Sequence, residues 1–208
     1  AAPAQAVRAA RAAWREHQRW ADAGFAVVAV DHRGTPGVAP SFEKAVHRRL
    51  ADVALTDLVE ALAALTGKHP DLDLERVGVR GRGVGGWLAG MSVLRRPELF
   101  RCAVVEAPVV DWARHEPASA QRYLGLPDDS QEVYEHHSLL AAAAEPAGGA
   151  AAPLLLVPNP DDSAPALRLA GALLAGGRPH SVLPVPASEE TVRKATLDFL
   201  RRHLVGNT

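Results

Sequence analysis

The chain has 208 residues, of which 48% are hydrophobic and 23% are charged, so it is long enough to fold around a substantial core. Its formal net charge of −1 gives no overall attraction to nucleic acid or to an anionic membrane, and we expect neither as a partner. There is no run of 18 apolar residues, and the first residues, AAPAQAVRAAR, lack the apolar centre of a signal peptide. We therefore expect a soluble, cytoplasmic protein with a single domain spanning residues 1–208.

Helix-like and strand-like segments alternate along the chain. Apolar residues recur at helical spacing in 4–23, 50–65 and 189–204. Five short apolar runs have the continuous character of strands that are covered on both faces. These runs are AVVAV (26–30), VGV (77–79), CAVVEA (102–107), LLLV (154–157) and SVLPV (181–185). The alternation predicts a doubly wound α/β fold with a mainly parallel sheet of about five strands flanked by helices.

A glycine-rich stretch, VGVRGRGVGG (77–86), leads from the second of these strands into a helical pattern. Gly81, Gly83 and Gly86 match the G-x-G-x-x-G pattern of dinucleotide-binding loops, and Glu106, 20 residues further on, stands where such folds place a ribose-binding acid. Glu106 also fits an ordinary solvent-facing acid. The same stretch fits the G-x-S-x-G nucleophile elbow of α/β-hydrolases with one residue changed. It equally fits a tight turn that needs glycine for conformation and packing alone, so the stretch by itself leaves three interpretations open.

Longer segments carry a more specific signal. In chain order these segments are WADAGFAVVAVDHRGTPGVAPSFEKAVHRRL, HPDLDLERVGVRGRGVGG, RRPELFRCAVVEAPVVDW, RYLGLPDD and FLRRHL. From about residue 14 to residue 204 they resemble the C-terminal catalytic domain of the prolyl oligopeptidase and dipeptidyl peptidase IV family. The resemblance implies the α/β-hydrolase fold of serine peptidases and makes the glycine-rich stretch a nucleophile elbow.

The resemblance also implies a degenerate active site. The family's elbow reads approximately G-W-S-Y-G-G, so Gly83 occupies the place of the serine nucleophile. Asp161 best matches the family's catalytic acid, although its loop is altered. The family's histidine falls just before the last helix, where residues 186–190 contain none. His180 precedes the last predicted strand and is interpreted as a surface residue.

Pocket residues differ from the family as well. The segment between the APV and RYLGLP motifs supplies tyrosines in the family, whereas here it carries His115 and Ser119. We therefore expect a catalytically inactive homologue, a pseudoenzyme, that acts as a binding or assembly module without cofactor or metal. The expected cleft, which would hold a small-molecule or peptide ligand, includes five candidate residues: Arg82, Val84, Glu106, His115 and Asp161.

Two alternatives stay open. The first is a repurposed enzyme of the same fold that performs non-covalent chemistry, such as cyclisation or acid–base work, in a biosynthetic pathway, with Asp161, Glu106 and His115 as the reacting groups. The second is dinucleotide binding at the Gly81–Gly86 loop.

A strand of the family's sheet is missing from the sequence. By resemblance the sheet order is 1-2-4-3-5-6-7-8, with residues 26–30 as the fourth strand, 77–79 as the fifth, and the third falling before Ala1. Either the fourth strand pairs directly with the fifth, or another segment fills the gap, because each unsatisfied buried backbone group costs about 1–3 kcal/mol. We expect a homodimer mate or a second chain to cover this sheet edge.

Overall fold

The computed structural model describes residues 10–149, 151–184 and 186–205. The chain divides into two compact units, residues 1–73 and residues 74–208. The expectation of one domain over residues 1–208 stays a prediction. No helix in the described ranges combines the length and the apolar character needed to cross a membrane.

The regular secondary structure described in the first unit is entirely helical. It contains α1 (Ala10–Asp22), α2 (Pro40–Lys44) and α3 (Leu50–Thr66). The helix predicted over 50–65 is confirmed to within one residue, and its first two turns are the buried part. The helix predicted over 4–23 is confirmed over 10–22, while residues 4–9 lie outside the described residues.

Residues 26–30, which were predicted to form a strand, do not form one. Val27 and Val28 are each 40% exposed. A strand is defined by hydrogen bonds to a neighbouring strand, and no described strand pairs with this segment. Its apolar, β-branched sequence suits a sheet, but composition alone does not form a strand without pairing.

An ion pair holds the loop that follows this segment. The carboxylate of Asp57 in α3 accepts hydrogen bonds from the Arg33 backbone N–H at 2.7 Å, from Nε at 3.0 Å and from Nη2 at 2.6 Å. Burial favours the neutral acid and is the largest single influence on the Asp57 pKa. The side-chain and backbone hydrogen bonds from Arg33 together outweigh burial, so this pKa lies below its ordinary value.

The second unit is built around a parallel sheet with strand order β1-β2-β3-β4. Its strands are β1 (Val77–Arg82), β2 (Phe100–Glu106), β3 (Leu154–Val157) and β4 (His180–Val182). Over the described residues the sheet therefore has four strands where about five were predicted, because residues 26–30 do not join it. The last strand ends at Val182 instead of residue 185, which lies outside the described residues.

Helices cover both faces of this sheet, which confirms the predicted α/β architecture. The helices of the second unit are α4 (Val84–Arg95), α5 (Pro117–Leu124), α6 (Gln131–His136), α7 (Leu139–Ala144), α8 (Ala164–Ala175) and α9 (Glu189–Leu204), of which α4, α8 and α9 pack on the strands. A Cβ at Gly81 would meet the α4 backbone, whereas one at Gly78 would meet Leu200 and Leu204 of α9. Side chains three residues apart on a strand point to opposite faces, so α4 and α9 lie on opposite sides of the sheet.

Candidate functional site

The turn between β1 and α4 has an unusual backbone conformation centred on Gly83. This residue has φ 61° and ψ −120°, a combination that side-chain-bearing residues adopt only with strain. Its N–H donates to the carbonyl of Glu106 at 3.0 Å, and its own carbonyl accepts from the N–H groups of Trp87 at 3.0 Å and Val109 at 3.2 Å. The end of β2 and the segment after it therefore hold this turn by hydrogen bonds to both the N–H and the carbonyl of Gly83.

The glycines of this turn serve different purposes. A Cβ at Gly81 would lie 2.1 Å from the carbonyl oxygen of Gly85, and one at Gly86 would lie 2.7 Å from that of Glu106. These two positions need glycine because the backbones approach so closely. A Cβ at Gly83 would meet nothing within 4 Å. Space is thus open at the one position where an elbow presents its nucleophile.

Glu106 lies beside the turn as half of an ion pair. It is 8% exposed, and its carboxylate accepts a hydrogen bond from Nε of Arg80 at 2.6 Å. In the strand register Glu106 stands opposite Arg82, yet Arg80 is its partner. Arg82 is exposed. The interpretation of Glu106 as a solvent-facing acid is therefore wrong, since the carboxylate is both buried and paired.

The loop after β3 carries the candidate acid. Asn159 Oδ1 accepts from the N–H of Asp161 at 3.2 Å, and Asp162 Oδ1 accepts from the N–H of Ala164 at 3.1 Å. These side-chain-to-backbone bonds shape the loop and lead into α8. Asp161 itself is exposed. Because β1 and β3 are parallel members of one sheet, the loop after β3 and the Gly83 turn both lie at the carboxyl ends of the strands.

An aromatic cluster, which the sequence analysis did not identify, lies beyond β2. The Trp112 ring is fully buried, with centroids 5.3 Å from Trp87, 5.5 Å from His115 and 6.0 Å from Tyr123. Burial lowers the pKa of His115, which favours the neutral imidazole. The sequence offered one signal for this cluster. Trp87 directly follows the glycine-rich stretch, and Trp112 directly follows the EAPVVD segment. The packing of Trp112 against His115 makes His115 part of this aromatic cluster in the segment that follows β2.

Trp87 connects this cluster to a buried histidine. Its Nε1 donates to the carbonyl of His137 at 2.7 Å, and the two rings stack with centroids 6.1 Å apart. His137 is fully buried directly after α6. His180 is the first residue of β4 and half-buried, so its predicted place outside the strand is wrong.

The candidate residues lie at or after the carboxyl ends of the strands. In the described part of the chain they are not linked to one another by hydrogen bonds as a catalytic triad would be. Val84 begins α4 directly after Gly83. Among the described residues, Glu106, His115 and Asp161 share no hydrogen bond or ion pair. In the loop before α9, Ser188 caps the helix, since its Oγ accepts from the N–H of Thr191 at 3.1 Å.

Comparison with known sequences gives matches over most of the chain. Residues 12–196 match the profile of the prolyl oligopeptidase family. Human dipeptidyl peptidase 8 is 34% identical over 114 residues, which cover 55% of this chain and 13% of that protein. The mouse protein named inactive dipeptidyl peptidase 10 is 32% identical over 109 residues, which cover 52% of this chain and 14% of that protein. This chain therefore spans a small part of the length of these relatives.

Comparison with solved structures supports the fold. The crystal structure of Porphyromonas gingivalis dipeptidyl peptidase 4 superposes with a TM-score of 0.73 at 23% sequence identity. The match covers 84% of this chain and 26% of that one. The predicted α/β-hydrolase fold is confirmed.

Proposed function

Because the chain belongs to the prolyl oligopeptidase family, we propose that it is a catalytically inactive homologue of these serine peptidases and acts as a binding or assembly module. The observation that carries the proposal is Gly83, which holds the strained central position of the elbow without any side chain. Covalent catalysis in this fold needs a nucleophilic atom at that position and a base beside it. Glycine supplies no such atom.

The base is missing from its expected place as well. Residues 186–190, which precede and begin α9, contain no histidine, and Ser188 there is used as a helix cap. Substituting serine at position 83 alone would therefore leave its hydroxyl without the proton acceptor that activates it. The loss involves two separate segments, so a single reversion is not expected to restore activity.

Two other nucleophilic side chains of the second unit do not replace the missing serine. The Ser92 hydroxyl is fully buried inside α4 and donates to the Leu88 carbonyl at 2.8 Å. Cys102 is fully buried in β2, where burial raises the pKa of its thiol to about 12. A thiol with so high a pKa carries almost no thiolate near neutral pH and is a poor nucleophile.

The arrangement of acids also favours binding over non-covalent catalysis. Arg80 forms an ion pair with Glu106. The buried Glu106 carboxylate lies beside the Gly83 turn, because Glu106 pairs in the sheet with Arg82, the residue before Gly83. The Glu106 carboxylate already accepts a 2.6 Å hydrogen bond from Nε of Arg80, so this oxygen is engaged within the protein and does not face a ligand freely. The relative named inactive dipeptidyl peptidase 10 indicates that the family accommodates inactive members.

The partner that we propose for the module binds the β1 edge of the sheet. Among the described residues β1 pairs with β2 and with no second strand, so it forms one edge of the described sheet. Such an edge readily accepts a strand from another segment. A second copy of the chain or a different chain would satisfy it.

Hydrolysis assays test the proposed inactivity. Purified chain is incubated with proline-containing dipeptidyl substrates and simple esters, and in parallel with a fluorophosphonate that labels activated serines. We expect neither turnover nor labelling, for wild type, for Gly83→Ser and for Gly83→Ala, which introduces the same backbone strain without a hydroxyl. Saturable hydrolysis by wild type that persists after substitution of exposed serines such as Ser41 and Ser181 would refute the proposal.

A further inference from the structure

Two arginines and one aspartate form a charged cluster on the second unit, called here the Asp111 cluster. Oδ2 of Asp111 lies 3.4 Å from Nη2 of Arg168 and 3.5 Å from Nε of Arg114. Asp111 and Arg114 belong to the segment after β2, whereas Arg168 lies in α8, the helix that follows β3. The cluster therefore joins the segments that leave two neighbouring parallel strands.

Asp111 is the anchored member of the cluster. Its Oδ1 accepts a hydrogen bond from the N–H of Ala113 at 3.1 Å and so caps a short 3-10 helix (Trp112–Arg114). This bond orients the carboxylate and leaves Oδ2 for the two arginines. The Asp111 side chain is 24% exposed, against 39% for Arg168 and 73% for Arg114. A partly buried carboxylate thus holds two more exposed guanidinium groups close to each other.

The contacts inside the cluster are loose. Charge-assisted N–H···O bonds are commonly about 2.7–2.9 Å long, and the Arg80–Glu106 bond of 2.6 Å is a closed pair of this kind. Both contacts of Asp111 are longer. Each guanidinium carries five N–H donors, and Asp111 engages one nitrogen of each. Among the described residues neither guanidinium has another side-chain partner, so most of their donors are available to a further anion.

The charges of the cluster do not balance, because two cations share one carboxylate. The other acids nearby in the chain do not pair with these arginines in the described part of the structure. Glu116 accepts from Oγ of Ser119 at 3.0 Å, and Asp162 accepts from the N–H of Ala164 at 3.1 Å. Burial lowers the pKa of His115, so its imidazole adds no charge near neutral pH. The cluster therefore lacks one negative charge.

We propose that the Asp111 cluster binds a carboxylate group of a ligand, with one carboxylate oxygen towards each guanidinium. A carboxylate presents two coplanar oxygens to the planar N–H groups of arginine and supplies the one missing charge. A phosphate monoester, with a charge of about −1.5 to −2 at pH 7, would exceed it. Arg114 and Arg168 contact the ligand, and Asp111 positions them. The inference rests on the proposed binding role and names the chemical class of the ligand.

Nuclear magnetic resonance of the arginine Nε–H groups tests the site directly. The labelled chain is titrated with acetate, the smallest stable carboxylate probe, and with chloride at the same ionic strength, since salt screens exposed charges. We expect saturable shifts at Arg114 and Arg168 with acetate alone. Arg193 is the matched control, because its side chain is also 39% exposed and pairs with Glu190 on α9. No saturable shift, or equal shifts at all three arginines, would overturn the inference.

Calorimetry with a matched pair of peptides gives a second measurement. Acetylated dialanine with a free carboxylate should bind wild type about 10-fold more tightly than its C-terminal amide. Arg114→Gln and Arg168→Gln should each abolish this difference, whereas Arg193→Gln, which removes the same charge elsewhere, should keep it. Equal binding of acid and amide by wild type, or a difference that survives both cluster substitutions, would overturn the inference.

The same titrations separate two sources of the carboxylate. An acid peptide that binds more tightly than acetate assigns the site to a peptide C-terminus, and one that binds no better assigns it to small carboxylic acids. Either result supports a carboxylate site once acetate binds at Arg114 and Arg168. Hydrolytic activity of wild type would refute the proposed inactivity and leave these shifts unchanged, so the two failures are distinguishable.

Discussion

Single glycine-to-alanine substitutions in the β1–α4 turn separate backbone strain from steric conflict. At Gly83 an added Cβ has open space, so the whole effect comes from holding alanine at φ 61° and ψ −120°. A residue in such a conformation costs about 1–3 kcal/mol. We therefore expect Gly83→Ala to lower the free energy of unfolding by roughly that amount.

Gly85 and Gly81 supply the matched comparisons. Gly85 lies in the first turn of α4 with an ordinary φ and open space at its Cβ, so Gly85→Ala should stabilise the protein by roughly 0.5–1 kcal/mol. At Gly81 the Cβ would lie 2.1 Å from a backbone oxygen, so the turn itself must move. Gly81→Ala should destabilise by more than about 4 kcal/mol or prevent folding.

Urea denaturation followed by circular dichroism measures all three variants. The expected order of stability is Gly85→Ala above wild type, then Gly83→Ala, then Gly81→Ala. If Gly83→Ala were as stable as Gly85→Ala, the turn would not be strained and Gly83 would not occupy an elbow conformation. If Gly81→Ala were harmless, the close backbone approach described for Gly81 and Gly85 would be wrong.

Two further predictions concern ionisable groups. The pKa of Asp57 is lowered in the folded state, so its contribution to stability is present above the unfolded pKa of about 3.9 and is lost as pH falls through the folded value. Asp57→Asn should therefore lower stability by about 1 kcal/mol at pH 7 and by much less at pH 3, and equal losses at both pH values in urea titrations would contradict the role of the Arg33 ion pair. Native Cys102, with a pKa of about 12, should resist iodoacetamide at pH 8 and react only in denaturant, as intact mass will show. Rapid alkylation of the folded protein would show that the thiol is not buried as described.

Helices and their ends were well predicted by local patterns. The bounds of α9 and β3 agree with the predicted 189–204 and 154–157. Periodicity and capping act within a few residues of one another, so they can be read from a single stretch. The elbow position of Gly83 followed from a resemblance that runs along most of the chain, and the turn conformation is consistent with it.

Local sequence patterns did not predict which distant segments pair or pack with one another. Residues 26–30 have the composition of a strand, but a strand forms only where a neighbour offers its hydrogen bonds. Glu106 looked like a solvent-facing acid or a ribose ligand, and its bond to Arg80 depends on which strands adjoin and in which register. Likewise, the contact of Trp87 with Trp112 joins residues from two elements that only folding brings together.

The sequence by itself determined the alternation of helices and strands, the family resemblance and the absence of a side chain at position 83. These properties reside in local composition and in the order of residues. Only the tertiary structure decided that Gly83 is strained while Gly81 and Gly86 are sterically required, and that Glu106 is buried against Arg80. Those distinctions depend on distances between backbone and side-chain atoms of different elements, which packing sets and which no single segment encodes.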